Sequence, residues 1–275
     1  MSTNHFELKT SDNLTLKGTL WLPEQPKAIA LLVHGFAEHI QRYNHVADFF
    51  NKKNIALIGY DRRGHGISEG QRGHLPSLEM ELQDIGKVLD YVKKEYNSLP
   101  IFLYGHSQGG NFALNYALRK KPNIQGCIIT SPWIALTEAP PKMLVAIGKV
   151  VHKILPTITT KAKVKPVSRD AEVVKKYKED ELIFDTITFR AANETMSAGD
   201  WLADFKGKIE LPTFLMHGSG DEVTSFVASK AFAGQVSGNL DTKWWDGLYH
   251  ELHNEPEQVE VMESMTNWME KQLRD

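Results

Sequence analysis

Short blocks rich in β-branched and large apolar residues recur along the first half of the chain. They fall at Leu14 to Leu22, Ala28 to Val33, Ile55 to Tyr60, Ile101 to Tyr104 and Cys127 to Thr130. Each is too short for a globular helix and reads as a strand. Between them, Arg42 to Lys52, Leu78 to Tyr96 and Gln108 to Lys120 place apolar residues three and four apart, as in Leu82, Ile85, Val88, Leu89 and Val92. That spacing gives an amphipathic helix one apolar face. Strands alternating with such helices predict an α/β protein with a mostly parallel central sheet flanked by crossover helices.

The rhythm stops after Ser131 and Pro132. About seventy residues follow with paired prolines, a basic run from Lys161 to Lys165 and no parallel-strand segment. We read 132–206 as an inserted, mainly helical cap, and 1–131 with 207–275 as one core split around it. Alternation resumes with a strand at Pro212 to His217, a helix from Ser225 to Gly234, a strand at Asp241 to Trp245 and a terminal helix from Glu257 to Leu273. Inside the cap, Met143, Leu144, Ile147, Val150, Val151, Ile154 and Leu155 form a broad helical stripe framed by Pro141 and Pro156. Such a stripe suits either a lid over a site, touching a membrane with Lys149 and Lys153 at headgroup level, or plain packing of the cap onto the core.

Composition narrows the function classes. The 275 residues are 41% hydrophobic and 24% charged, as in ordinary globular proteins, and enough for one catalytic domain with an insertion. A formal net charge of -2 leaves no basic excess for a phosphate backbone, so no nucleic acid partner is expected. The single cysteine, Cys127, has no intramolecular partner and reads as a small strand residue, which fits a reducing cytoplasm. Met1 to Asp12 lacks the basic start and apolar core of an export signal. The longest apolar stretch, Met143 to Leu155, is broken by Lys149, His152 and Lys153 and falls short of the ~20 residues of a bilayer span. The expectation is a cytoplasmic protein with a peripheral membrane contact through the cap.

The chemistry centres on Gly105-His-Ser-Gln-Gly109, which follows a strand and opens a helix. This is the G-x-S-x-G nucleophile elbow in its required setting. A tight strand-to-helix turn holds Ser107 in a strained backbone state, and side chains two positions away on either side would clash. The first helical amide, that of Gln108, points to where an oxyanion would form. A serine hydroxyl needs a base, and the base an acid, in the order serine, acid, histidine. His250 lies in a loop between the last strand and the terminal helix. His253 is its rival, disfavoured because it falls nearer the helix start. Asp221 follows a strand through the turn Gly218-Ser-Gly220, where it can fix the imidazole tautomer and stabilise its transient charge. Glu222 is adjacent and expected to point elsewhere; Asp204 and Asp246 are more remote. His34-Gly35-Phe36 ends a strand where the second oxyanion amide arises, nominating the Phe36 N–H.

Asp61-Arg-Arg-Gly-His-Gly66 has a charged, histidine-containing look, but its glycines demand unusual backbone states and its Asp and Arg can satisfy loop amides, so it reads as structural. The H-x-x-H spacing of His250 and His253 lacks the H-E-x-x-H zinc pattern. Neither metal nor cofactor is expected.

These residues resemble the monoacylglycerol lipase and lysophospholipase group of α/β-hydrolases. The likeness runs through His34-Gly-Phe-Ala-Glu-His39, Arg42-Tyr43, Tyr60-Asp-Arg-Arg-Gly-His-Gly-Ile-Ser68, Gly73, Gly105-His-Ser-Gln-Gly-Gly110, Ser168-Arg-Asp170, His217-Gly-Ser-Gly-Asp221 and Tyr249-His-Glu-Leu-His-Asn-Glu255. The resemblance implies a triad of Ser107, Asp221 and His250, and an oxyanion hole from the Phe36 and Gln108 amides. It implies Glu38, Arg42 and His253 around glycerol hydroxyls, against a plainer reading of Glu38 and Arg42 as a local ion pair. Gln108 stands where many members carry Met, and Ala37 where a glycine is frequent; neither removes an amide. The implied reaction is serine-dependent cleavage of a lipid ester, monoacylglycerol or lysophospholipid, through an acyl-enzyme. A general carboxylesterase or amidase shares every catalytic residue, and a non-catalytic binding protein of the same fold is the alternative of another class.

Overall fold

The computed structural model describes residues 2–163 and 165–274. Ten strands form: β1 (Ser2–Lys9), β2 (Thr15–Leu22), β3 (Ala28–Val33), β4 (Ile55–Tyr60), β5 (Ile101–His106), β6 (Gly126–Thr130), β7 (Thr159–Lys161), β8 (Thr186–Thr188), β9 (Lys208–Gly218) and β10 (Ser237–Trp245). The α-helices are α1 (Asn44–Lys52), α2 (Leu78–Glu95), α3 (Ser107–Lys120), α4 (Lys142–Ile154), α5 (Ala171–Glu179), α6 (Phe189–Asp204), α7 (Phe226–Gln235) and α8 (Gln258–Gln272).

Eight strands make one sheet in the order β1-β2-β4-β3-β5-β6-β9-β10. The first two pairings are antiparallel and the rest parallel. This is the predicted α/β-hydrolase arrangement. Residues of β3 through β6 are buried throughout, because helices cover both faces. The two-residue period of a strand sorts them into two layers. Ile29, Leu31 and Val33 join Leu82, Ile85 and Phe112 of α2 and α3, whereas Ala28, Ala30 and Leu32 join Val46, Phe50, Val261 and Met265 of α1 and α8. Helix α2 is well terminated: the Ser77 side chain accepts from the Met80 amide, Glu79 and Glu81 occupy the first turn, and Lys93 and Lys94 the last.

Three elements differ from the sequence expectation. Strand β1 was not anticipated, since Ser2–Lys9 is polar apart from Phe6 and Leu8. It pairs along all of β2, and Phe6 covers Gly18 while stacking on Tyr91 at 4.8 Å. Strand β9 begins at Lys208 rather than Pro212. The register with β10 slips between Gly238 and Leu240, and this irregularity accommodates a proline that cannot donate to a ladder. Strand β10 accordingly starts at Ser237 rather than Asp241.

Between β6 and β9 the chain carries α4, β7, α5, β8 and α6. Its two strands pair only with each other. Helix α6 lies on α3: Gln108 Nε2 donates to Thr195 Oγ1 at 2.8 Å and Asn111 Nδ2 to the Thr195 carbonyl at 3.3 Å. Helix α4 is different. Of its residues only Gly148 and His152 are buried, while Met143 is 75% and Ile154 70% exposed, so the apolar stripe faces outward rather than packing the cap onto the core. Among the described residues no helix is long and apolar enough to cross a membrane.

Candidate active site

Parallel strands put their carboxyl ends at one edge of the sheet, the usual place for a site in an open α/β sheet. Four loops meet there, after β3, β5, β9 and β10. At the turn from β5 into α3, Ser107 has φ of 56°, in the left-handed region that a non-glycine residue seldom adopts. The turn is tight enough to exclude side chains nearby. A Cβ on Gly105 would lie 2.6 Å from that of Ala113, and one on Gly109 would lie 2.1 Å from the Val33 carbonyl oxygen. Both glycines of the elbow are therefore steric requirements.

The structure brings His250, not His253, to this serine. His250 Nε2 is 2.8 Å from Ser107 Oγ, and its Nδ1 is 2.7 Å from Asp221 Oδ2. The other carboxylates are elsewhere: Glu222 is half-exposed near Lys165, and Asp246 accepts from Ser219. Burial opposes charge on the His250 imidazole, but Asp221 beside it prevails and raises its pKa above the ordinary histidine value. Burial likewise disfavours the Asp221 carboxylate, and the His250 charge with bonds from His217 and His250 overcomes this, leaving it well below the usual range.

Asp221 accepts five hydrogen bonds. Oδ1 takes the amides of Val223 and Thr224 at 2.7 and 3.0 Å. Oδ2 takes His250, Thr224 Oγ1 at 2.9 Å and His217 Nε2 at 2.9 Å. His217 was not singled out in the sequence. It is the penultimate residue of β9, four positions before the acid, and a histidine near a strand end facing a loop carboxylate was the available signal. Since its Nε2 donates to Asp221, its Nδ1 is left to accept the Ser229 hydroxyl at 2.8 Å.

The Gln108 amide follows the serine directly in the chain and Phe36 lines the same cavity as Ser107, and among the described residues neither backbone N–H donates to the backbone of another segment. Glu38 is buried in the cavity wall: Oε1 accepts from the Gly35 amide at 2.6 Å and from Tyr43 at 2.9 Å, and Oε2 from Arg42 at 2.8 Å. Arg42 also grips both oxygens of Glu251 at 2.7 Å and stacks over Tyr177. Burial and the nearby Glu251 charge push the Glu38 pKa up against the pull of Arg42, whereas Arg42 overcomes burial at Glu251 and brings it down to about 2. Arg42 and His253, expected beside the substrate hydroxyls, sit one layer back. Arg42 is held between two carboxylates, and His253 is fully buried, stacked on Tyr43 at 4.5 Å and edge-on to His106.

The loops and the cap enclose a cavity of about 80 Å3, into which Ser107, His250, Glu38, Trp133, Tyr177 and Phe184 face. A serine hydroxyl touching one imidazole nitrogen, with a carboxylate on the other, can pass its proton as the oxygen attacks. Two amides beside it can receive a developing negative charge.

The His217 contact makes a specific prediction. His217→Gln, which keeps a donor toward Asp221, should leave esterase activity within about threefold of wild type. His217→Leu should lower kcat about tenfold or more with KM little changed, in keeping with ~1.5–3 kcal/mol for a hydrogen bond to a charged group. With one donor fewer, the carboxylate holds the imidazolium more tightly, so the acid limb of the pH–rate profile should move upward. Equal kcat and an unmoved limb in His217→Leu would show that the bond has no such role.

Comparison with known proteins gives the family. Residues 24–257 match the family described as Hydrolase_4, serine aminopeptidase, S33. An uncharacterized abhydrolase domain-containing protein of Dictyostelium discoideum is 34% identical across the full chain, which spans 30% of that protein's length. The monoacylglycerol lipase of Mycolicibacterium smegmatis is 31% identical, with 92% of each chain covered. The crystal structure of Paleococcus ferrophilus monoacylglycerol lipase superposes with a TM-score of 0.83 at 26% identity, covering 99% of this chain and 100% of that one. A soluble variant of Saccharomyces cerevisiae monoglyceride lipase gives 0.86 at 21% identity over 97% and 94%, which shows the shared fold alone. The chain therefore belongs to the serine aminopeptidase S33 family of α/β-hydrolases.

Proposed function

We propose that this carboxylic ester hydrolase cleaves a monoacylglycerol to fatty acid and glycerol through an acyl-enzyme on Ser107. The observation that carries the reading is the continuous relay from Ser107 through His250 to Asp221, set in the wall of a cavity. His250 takes the serine proton as Oγ attacks the ester carbonyl, and the Phe36 and Gln108 amides hold the oxyanion. His250 then returns the proton to the leaving glycerol oxygen. Water attacks the acyl-enzyme by the same route, and Asp221 stays ionised throughout.

The head group is where the residues discriminate. Lys163 and Lys165 border the cavity mouth and would suit a phosphate, which favours a lysophospholipid. Glu138, however, accepts from both at 3.0 and 2.7 Å, and those bonds hold its carboxyl down to about 2. Glu222 stands 3.9 Å from Lys165 as a second carboxylate, so two negative charges balance the two lysines in place, and an uncharged glycerol suits the mouth better. Its hydroxyls donate to Glu38, whose carboxylate Arg42 fixes, while His253 backs the wall behind His106. The similarity to monoacylglycerol lipases supports the same substrate.

A cavity of about 80 Å3 holds the ester group, but sites for drug-sized ligands run to about 300–1,000 Å3. A long acyl chain thus requires the cap side chains Tyr177 and Phe184 to yield. The outward stripe of α4 supports a peripheral contact with a lipid surface: from Ala139 to Ser168 the chain carries six lysines and neither Asp nor Glu. Such a segment suits the boundary between acyl chains and anionic headgroups.

Three measurements test the reading. A fluorophosphonate should label wild type and not Ser107→Ala, and fatty acid release should be faster from monoacylglycerol than from lysophosphatidylcholine; labelling without that preference would leave the hydrolase and remove the substrate. The kcat/KM on a soluble ester should rise with pH along a limb centred above about 6.5, because protonated His250 cannot act as base and Asp221 raises its pKa. Replacing Met143, Val150 and Ile154 by Ser should lower activity on long-chain esters in vesicles several-fold more than on short ones; equal losses would reject the lid and lipid-surface role.

A further inference from the structure

The loop after β4, Asp61-Arg-Arg-Gly-His-Gly66, lies against the strand end that carries the Phe36 amide. Asp61 and Arg63 act within the scaffold: Asp61 accepts the amides of Ile40 and Ile67, and Arg63 pairs with Asp84 and Asp12. Arg62 does something else. Its side chain is 2% exposed, and Nη1 points at three acceptors: the carbonyls of His34 and Gly35, both at 3.2 Å, and Gln108 Oε1 at 3.0 Å. Only Nε meets Glu81, at 2.6 Å, and the second oxygen of that carboxylate has no hydrogen-bond partner among the described residues. An arginine present only to form a core ion pair would engage both carboxylate oxygens.

The backbone of Arg62 adds a second constraint. Its amide donates to His34 Nε2 at 3.0 Å. A ring nitrogen that accepts carries no proton, so the His34 proton resides on Nδ1, which stands 2.8 Å from the Gly35 oxygen and donates to it. Burial, with His65 and Arg62 close by, keeps this imidazole pKa far below its ordinary value, and the tautomer is stable at neutral pH. The Gly35 carbonyl thus receives two donors. That carbonyl and the Phe36 N–H are opposite ends of one planar trans peptide and point in opposite directions. Fixing the oxygen toward Arg62 and His34 aims the N–H away from them, and the peptide itself lies beside the serine, since a Cβ on Gly35 would stand 3.1 Å from the Ser107 Cβ.

We infer that Arg62, assisted by His34, is a positioning residue of the oxyanion hole: one guanidinium orients the Gly35–Phe36 peptide and ties it to Gln108, the source of the second amide. This rests on the reading of those two amides as oxyanion donors. An oxyanion donor works because it is already aimed before charge develops. Without the clamp the peptide must reorient during each turnover.

Removing a buried arginine strands Glu81, so the variant of choice is the double substitution Arg62→Met with Glu81→Leu, which replaces the pair by apolar side chains. Glu81→Gln, which keeps the clamp, is the control. The measurements are thermal melting, fluorophosphonate titration of active sites, kcat and KM on a soluble short ester, and affinity for a trifluoromethyl ketone beside its parent alcohol. The ketone forms a hemiketal oxyanion on the serine; the alcohol cannot. The double variant should lose about 30-fold or more in kcat per titrated site, where removing a donor outright costs ~100-fold or more, with KM within about threefold. Ketone affinity should fall in step with kcat/KM and alcohol affinity stay unchanged, while Glu81→Gln matches wild type. A folded double variant with wild-type kcat per titrated site and ketone affinity would overturn the inference, whether or not its melting temperature falls. If wild type is not labelled and binds the ketone no better than the alcohol, the hydrolase reading fails first and takes this one with it.

Discussion

Ser107 is held at φ of 56°, and much of the surrounding structure serves to keep it there. A non-glycine residue in such a state carries ~1–3 kcal/mol of strain and persists only where its neighbours over-determine it. Strand β5 is paired on both sides, with β3 and β6. Gly109 brings α3 against the Val33 carbonyl, and the Trp133 amide donates to the Ser107 carbonyl at 3.0 Å. Each of these contacts comes from a different part of the chain. Ser107 is raised over the sheet edge by the sheet itself, and the three loops that complete the site need only reach the same point.

Those loops carry charge into a dry interior, where an unpaired ion is costly. The structure meets the cost by saturation. Asp221 has five donors, so it stays ionised beside the imidazole and keeps a fixed orientation. Glu38 and Glu251 share one guanidinium, which also links the loop after β3 to the one after β10. Ser131 Oγ donates to the His250 carbonyl at 2.8 Å, and the Thr137 amide and hydroxyl donate to the Val223 and Asp221 carbonyls, both at 3.1 Å, so the acid and histidine loops are fastened to each other through the segment that follows β6. The catalytic distances are thus properties of a network rather than of two contacts.

How much of this was legible in the sequence follows from how local each cause is. The elbow is encoded within five residues, because the clash that demands Gly105 and Gly109 lies inside a single turn. The parallel strands declared themselves by burial on both faces, which leaves uninterrupted apolar runs. Strand β1 did not, since an edge strand needs only two apolar residues, and its pairing is specified by β2. The long start of β9 was hidden by Pro212, whose missing donor is absorbed by a register slip visible only with β10 beside it. His217 carried a local signal, a histidine near a strand end four positions before the acid, whereas the backward placement of Arg42 and His253 depends on contacts between segments distant in sequence, for which spacing carries no signal.

The segment between β6 and β9 shows the same division between local and distant causes, and it bears on access to the cavity. Helix α6 is rooted by buried polar bonds: Gln108 Nε2 donates to Thr195 Oγ1 at 2.8 Å, and Asn111 Nδ2 to the Thr195 carbonyl at 3.3 Å. Displacing it would strand groups whose loss costs ~1–3 kcal/mol each. Helix α4 packs on α6, with Gly148 against Phe189, but among the described residues none of its side chains makes a hydrogen bond, and its apolar face lies outside. Moving it exposes little that is not exposed already. The free-energy difference assigns the two helices separate parts: α6 belongs with the elbow as part of the fixed scaffold, and an opening wide enough for an acyl chain is cheapest on the side of α4.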